Sequence, residues 1–254
     1  MPFSRLIYEE VRSLFNTGLS DRAIARQTGV PPGTVSRWHR ADTVPSTVLR
    51  STLDEQWLIA DPRRYCYLLG AYLGDGTVCH QPPGFWELRI INDRRYRAVS
   101  AEILDAMRAT FPGGSTGMWP ASGEEADILH VAHPAIPRAF PQRGPGRKHQ
   151  RRIGLTDWQL ELTHAHPDAL VRGLIHSDGC RCINSFKTKL PSGRVAGYSY
   201  VRYFFTNHSA DIRDIFAEHC GLLGVRVTQP NHRNLAVSHR KGVAILERLI
   251  GPKG

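Results

Sequence analysis

Apolar and polar residues change period several times along this chain, and each change marks an element. Over residues 4–42, apolar positions recur every three or four residues in three short runs, which predicts three short helices. Leu6, Val11, Leu14 and Phe15 form the apolar stripe of the first. Leu19-Ser20-Asp21 offers a capped start to the second, which continues through Ala23, Ile24, Ala25 and Thr28. Gly29-Val30-Pro31-Pro32 reads as a turn into a third helix over residues 34–40, with Val35 and Trp38 at core spacing. Ser36, Arg37 and Arg40 project from its outer side. Residues 43–60 contain Pro45 and little apolar period, and read as a linker.

From residue 61 a longer plan is written twice. A helix entered at Pro62 leads into two stretches of period two, residues 77–80 and 86–91, around a Pro-Pro-Gly turn. Trp86, Leu88 and Ile90 share one face, and Glu87 and Arg89 the other. Residues 92–110 return to helical spacing through Val99, Ile103 and Met107. Short strands near Gly117 and over residues 128–132 follow, then a helix around Ile136 weakened by its prolines. Trp158 and Leu160 lead to a second helix, entered at Pro167, and residues 180–190 and 197–207 read as a longer hairpin. Tyr198, Tyr200 and Arg202 lie on one face of its second strand, with Val201, Tyr203 and Phe205 on the other. Asn207 precedes the next helix as Asn92 does in the first round. Strands over residues 225–228 and 235–238 and a helix over 241–250 complete the second round.

The two rounds share one unusual feature. Leu68-Leu69-Gly70-Ala71-Tyr72-Leu73-Gly74-Asp75-Gly76 and Val171-Arg172-Gly173-Leu174-Ile175-His176-Ser177-Asp178-Gly179 both read as the last turns of an apolar helix. Gly70 and Gly74, and Gly173 and Ser177, are four apart, so each helix has a face of small residues along which two backbones can approach. Each stretch ends in Asp-Gly, and the glycine suits a left-handed stop. A carboxylate at that end faces orphan carbonyls and the negative end of the helix dipole, which is unfavourable by itself. A divalent cation reverses the sign, because carboxylate plus backbone carbonyl is a hard-oxygen site suited to Mg²⁺. Packed along their small faces, the helices would deliver Asp75 and Asp178 side by side, with the Gly74 and Ser177 backbones as further ligands. One such stretch alone reads better as an ordinary buried helix with a polar stop; two, about a hundred residues apart, point to a site.

A net charge of +10 and a sequence pI near 9.7 favour a polyanionic partner. A membrane surface would also attract such a chain, but no long amphipathic basic helix and no run of eighteen apolar residues appears. With no visible signal peptide, the expectation is a cytoplasmic protein, nucleoid-associated in a bacterial host. Five cysteines form no disulfide framework, and Cys180-x-Cys182 lacks zinc spacing; alternation places that pair on a buried strand face instead. His176, inside the second stretch, reads as a polar-edge residue. Residues 138–152 carry Arg138, Arg143, Arg147, Lys148, Arg151 and Arg152 with no acid, and read either as a phosphate-tracking linker or as a solvated loop.

The paired stretches resemble the LAGLIDADG motif of homing endonucleases, in the single-chain form that carries two motifs. The match lies in the glycines, the aliphatic positions and the final Asp-Gly, and departs at the sixth position, Leu73 and His176. The resemblance covers residues 61–251 and implies an α+β fold. Two pseudo-symmetric αββαββα halves, 61–137 and 161–254, would flank a basic linker over 138–160 and form a saddle on double-stranded DNA. It implies a monomer whose motif aspartates, Asp75 and Asp178, use Mg²⁺ or Mn²⁺ to cut both strands. A lysine opening the last helix of a half often assists, and Lys241 stands there in the second half. The first half has His133-Pro134-Ala135-Ile136-Pro137 at that place, with Lys148 as a possible substitute. On the DNA side the resemblance places Glu87, Arg89, Arg147, Lys148, Tyr198, Tyr200 and Arg202, with Lys187 and Lys189 on the preceding strand. Residues 1–42 resemble a small all-α helix-turn-helix domain, with Ser36, Arg37 and Arg40 toward the major groove; a protein-interaction module is the other reading. An endonuclease, a regulator that binds DNA without cutting it, and an RNA-splicing maturase are the function classes left open. The two aspartates favour the first, and the N-terminal helices raise the second.

Overall fold

Three short amphipathic helices begin the chain: α1 (Arg5–Phe15), α2 (Asp21–Thr28) and α3 (Pro32–Arg40). The computed structural model describes residues 5–41, 61–81 and 85–250; the linker expected over 43–60 and the Pro-Pro-Gly turn lie outside them, as does the Leu6 side chain. The chain divides into two units, Met1–Trp57 and Leu58–Gly254. In the first, helices this short gain stability only by pooling their apolar stripes. Val11, Ile24, Val35 and Trp38 are buried together, and the Tyr8 ring meets Trp38 edge-on at 5.1 Å. Ser20 caps α2 by accepting the Ala23 N–H at 3.4 Å, and Gly29 ends it at φ 70°, a left-handed conformation that favours glycine.

The second unit opens on α4 (Pro62–Asp75), started by Asp61 accepting the Arg64 N–H at 3.0 Å. Then come β1 (Gly76–Gln81), β2 (Phe85–Asp93), α5 (Arg97–Thr110), β3 (Ser115–Pro120), β4 (Ala126–Ala132) and α6 (Ile136–Ala139). This is an αββαββα half with an antiparallel sheet in the order β1-β2-β4-β3. Leu88, Ile90, Leu129 and Val131 face inward, as do Val99, Ile103 and Met107 of α5. A basic stretch containing a 3-10 turn (Lys148–Gln150) and α7 (Asp157–Ala165) lead on. The second half has α8 (Pro167–Asp178), β5 (Gly179–Lys189), β6 (Val195–Thr206), α9 (Ala210–Leu222), β7 (Asn234–Val237) and α10 (Arg240–Leu249). Its sheet runs β5-β6-β7. The strand expected over 225–228 is reduced to one bridge, Thr228 to Ala236; Pro230, two residues on, lacks the N–H to continue a ladder.

The helices α4 and α8 pack backbone to backbone. A Cβ placed on Gly70 would lie 2.8 Å from the Leu174 nitrogen and collide with the Leu170 carbonyl. One on Gly173 would lie 2.9 Å from the Ala71 nitrogen and collide with the Tyr67 carbonyl. Almost all of α4 is buried, from Tyr65 to Leu73, against α8, α5 and the first sheet. The terminal glycines work differently from the expectation. Gly76 and Gly179 are extended, at φ −85° and −97°, because the chain passes straight from helix into strand. What excludes a side chain is proximity: a Cβ would stand 2.6 Å from the Tyr72 Cα or the Ile175 Cα.

Candidate functional site

Both motif helices end at one cavity of 440 Å³ in the second unit. Asp75 and Asp178 line it together with Thr206, Asn207, His208 and the basic stretch from Arg143 to Arg151. The carboxylates converge because the small faces of α4 and α8 meet. At that contact a Cβ on Gly74 would lie 2.5 Å from the Ser177 Cβ and 3.0 Å from Asp178 Oδ2, so the second aspartate reaches the end of the first helix. Asn207 fixes its position: Nδ2 donates to Asp178 Oδ2 at 2.6 Å, while Oδ1 accepts the Ser209 N–H at 2.7 Å and so sets the amide's orientation. Its counterpart Asn92 turns away, donating to Ser100 Oγ at 2.8 Å and to the Tyr96 carbonyl at 3.1 Å.

The cavity's lysine is Lys148. Its ammonium donates to the carbonyls of Tyr72, Leu73 (3.0 Å) and Gly74 (2.9 Å), the open end of α4, and lies 4.7 Å from the Tyr72 ring centre. A cation there meets the negative end of the helix dipole. Burial lowers its pKa to about 8, against the pull of Asp178 and Asp75, which favour the charged form. Lys241, by contrast, is exposed in the first turn of α10 and is not among the residues that line the cavity. The helix that was to deliver it docks through Val243 and Leu246, and this face leaves Lys241 outside. Of the two lysines considered, Lys148 and not Lys241 stands at the cavity.

The basic stretch is exposed along most of its length but is pinned at several points. Gln142 donates to the Gly154 carbonyl at 2.8 Å and to the fully buried Gln159 at 2.5 Å, and Gln159 donates to the Tyr65 hydroxyl at 2.7 Å. Arg151 donates to the Gln142 carbonyl, and the Ile153 N–H to Asp211 Oδ2 at 2.7 Å. These anchors hold Arg143, Arg147 and Lys148 over the cavity, with the Arg143 guanidinium 4.5 Å from the centre of the Trp86 ring. Crowding of positive charge, Arg233 foremost, lowers the pKa of His208.

Four of the residues expected on the DNA side, Glu87, Lys187, Lys189 and Ser36, are placed otherwise. Glu87 is 5% exposed, with Oε2 accepting from Arg89 Nε at 2.7 Å and Oε1 3.1 Å from His130 Nδ1. It orients Arg89, whose guanidinium also sits 5.5 Å from the Trp119 ring centre, rather than facing a partner. Lys187 pairs with Gly197 and Lys189 with Val195, whereas Tyr198 pairs with Phe186 and Tyr200 with Asn184. Opposed residues share a face, so these lysines lie on the face opposite Tyr198, Tyr200 and Arg202. The Tyr198 face is aromatic and open: Phe186 and Tyr198 stack at 5.4 Å and Arg202 lies 4.1 Å from the Phe204 ring centre. Cys180 and Cys182 lie on it too, exposed and half-buried, not on a buried face. His176 is buried and bonds the Tyr67 hydroxyl through Nδ1 at 2.9 Å instead of lying at a polar edge. In the first unit, Ser36 turns inward to donate to Asp21 Oδ2 at 2.6 Å, while Arg37 and Arg40 remain exposed.

Among solved structures, the chain aligns with I-DmoI in complex with DNA and Mn at 16% identity, covering 75% of this chain and 97% of that one, with a TM-score of 0.46. The LAGLIDADG meganuclease I-AabMI bound to uncleaved DNA aligns at 11% identity, 74% and 84% coverage and TM-score 0.46. The I-LtrWI LAGLIDADG homing endonuclease bound to target DNA aligns at 13%, 73% and 80%, and 0.42. The chain is similar to LAGLIDADG endonucleases. No protein-family model and no curated protein matches it. The LAGLIDADG-like stretches of this chain are α4 and α8, and their aspartates line the cavity described above. The sequence showed Arg143 and Arg151 only as members of the basic stretch, and Asn207 only as a repeated helix-preceding asparagine; their place at the cavity comes from the structure.

Proposed function

We propose that the chain is a site-specific endonuclease of double-stranded DNA that hydrolyses phosphodiester bonds with Mg²⁺ or Mn²⁺ held by Asp75 and Asp178. The observation that carries this reading is the convergence of two helix-terminal carboxylates, one from each half, on a single cavity rimmed by cations. The donor set fits a hard cation, since the carboxylates and the Gly74 carbonyl are all oxygen. Such a metal, when bound, stabilises charge on the attacking and leaving oxygens of an in-line displacement. The protein's own residues do the rest. Asn207 keeps Asp178 aimed into the cavity. Arg143, Arg147 and Arg151 line the cavity where a phosphate would enter, and Lys148 offsets charge beside both aspartates. Arg89, held by Glu87, and the Tyr198, Tyr200 and Arg202 face supply the flanking contacts. DNA and Mn, named for I-DmoI, are the partner and cofactor this reading gives the chain, acting as a monomer.

In this reading residues 1–42 are a helix-turn-helix module contacting DNA through Arg37 and Arg40, and 43–60 its tether. Residues 61–137 and 161–254 are the two halves, and 138–160 the basic span between them. Selection of cleaved sites from a randomised DNA library with Mg²⁺, beside a binding selection in Ca²⁺, tests the proposal. Recovery of one cleaved site supports it; tight, sequence-specific binding with no cut site replaces it with a DNA-binding regulator on the same scaffold.

A further inference from the structure

The two motif helices end alike in sequence but not in structure. The last carbonyls of α4 are occupied by the ammonium of Lys148, which donates to Tyr72, Leu73 and Gly74 and faces the Tyr72 ring. Tyr72 is also the residue against which the Gly76 turn closes. Lys148 belongs to neither half. It sits in the 3-10 turn of the span between them, which is braced within itself by Gln142 to Gly154 and Arg151 to Gln142 and tied to the second half by the Ile153 N–H to Asp211 of α9. One tethered charge thus bridges the connector to the end of the first motif helix, beside both aspartates.

We infer that Lys148 is a positioning residue that works as a built-in cation at the Gly74 oxygen, competing there with a divalent ion, so that loading the first motif with metal displaces the ammonium from the end of the first motif helix. The inference rests on the endonuclease reading, which supplies the metal. Its physical basis is that one carbonyl oxygen at an open cavity serves either a lysine ammonium or a metal ion, and that two cations at adjacent oxygens repel. The ammonium closes the helix end when the metal is away. It leaves the Gly74 carbonyl when the metal takes that oxygen, while the bonds of Gln142, Arg151 and Ile153 keep the stretch over the cavity.

Manganese binding to the full chain without DNA, followed by electron paramagnetic resonance of free Mn²⁺, reads the competition directly. Lys148→Met is expected to bind Mn²⁺ about tenfold more tightly than the parent, the scale of one screened unit charge removed at short range. Lys148→Arg, which keeps the charge, is expected to stay near the parent. The parent protein gives a second readout that needs no variant: amine acetylation at Lys148, read by mass spectrometry, should rise severalfold with Mn²⁺ while Lys187 and Lys189 stay constant. Equal or weaker Mn²⁺ affinity in Lys148→Met, or unchanged acetylation of the parent at saturating Mn²⁺, overturns the inference. Asp75→Asn separates this failure from that of the underlying reading. If Mn²⁺ binding is lost in Asp75→Asn yet indifferent to Lys148, the metal site stands and the competition falls. If Asp75→Asn binds as the parent does, both fall together.

Discussion

Exchanging the small residues where α4 and α8 meet should show how much of the fold depends on that contact. Alanine at Gly173 would put a methyl carbon against the Tyr67 carbonyl and 2.9 Å from the Ala71 nitrogen, and alanine at Gly70 would press on the backbone of α8 in the same way. Backbone cannot rotate aside, so the helices must part. Overpacking typically costs about 1–3 kcal/mol, and the rigid obstacle puts both variants at the upper end. The higher helix propensity of alanine returns about 1 kcal/mol. The net expectation is a loss of about 2 kcal/mol, or roughly 4–8 °C in Tm for a unit of this size. Gly74→Ala meets a side chain instead, with its methyl carbon 2.5 Å from the Ser177 Cβ. Removing that side chain should make room, so Gly74→Ala with Ser177→Gly should recover most of the stability lost by Gly74→Ala alone. A double-mutant cycle by thermal and urea unfolding measures the coupling, expected at about 1–2 kcal/mol. Independent, additive effects at Gly74 and Ser177, or a Gly173→Ala variant as stable as the parent, would refute the close-contact argument.

Three further outcomes follow from the same geometry. Burial holds the pKa of His133 down to about 4, below its unfolded value of 6.5, so the unfolded chain binds the extra proton first. Its contribution is complete above pH 6.5 and is lost as pH falls towards 4, by about 2 kcal/mol after discounting for solvent; urea titrations of the parent and His133→Gln at pH 7 and 4.5 should diverge accordingly. Lys241→Met should leave cleavage close to that of the parent in a plasmid assay, because Lys241 is exposed and does not line the cavity. Deleting residues 1–42 should weaken DNA binding in a filter or anisotropy assay while cleavage persists at high enzyme, since the module adds contacts through a tether and no catalytic group.

What could be read from the sequence was whatever depends on local period or on repetition. The twin Asp-Gly helix ends, the small residues four apart, the Val35 and Trp38 core and the alternation of β2 and β6 all appear as written. Interstrand register was not legible. The placement of Lys187 and Lys189 depends on which residues of β5 oppose which of β6, and a one-residue shift exchanges the faces. Long-range polar partners were equally hidden. Glu87 alternates with buried residues and so reads as exposed, yet Arg89 and His130 enclose it. Lys148 reaches the carbonyls of residues more than seventy positions earlier, and no local pattern encodes that. The extended glycines after each aspartate show the same limit, because their requirement comes from the preceding helical turn and not from φ.

The central claim is that Asp75 and Asp178 together form a metal-dependent phosphodiesterase site. It is tested most directly by strand-resolved cleavage of an end-labelled selected duplex in Mg²⁺, with the parent, Asp75→Asn and Asp178→Asn. Each asparagine keeps the shape and removes the charge that holds a hard cation. Double-strand cleavage should be lost in both variants while affinity for the same duplex in Ca²⁺ is retained. If either variant cuts both strands as fast as the parent, the two carboxylates are not the site.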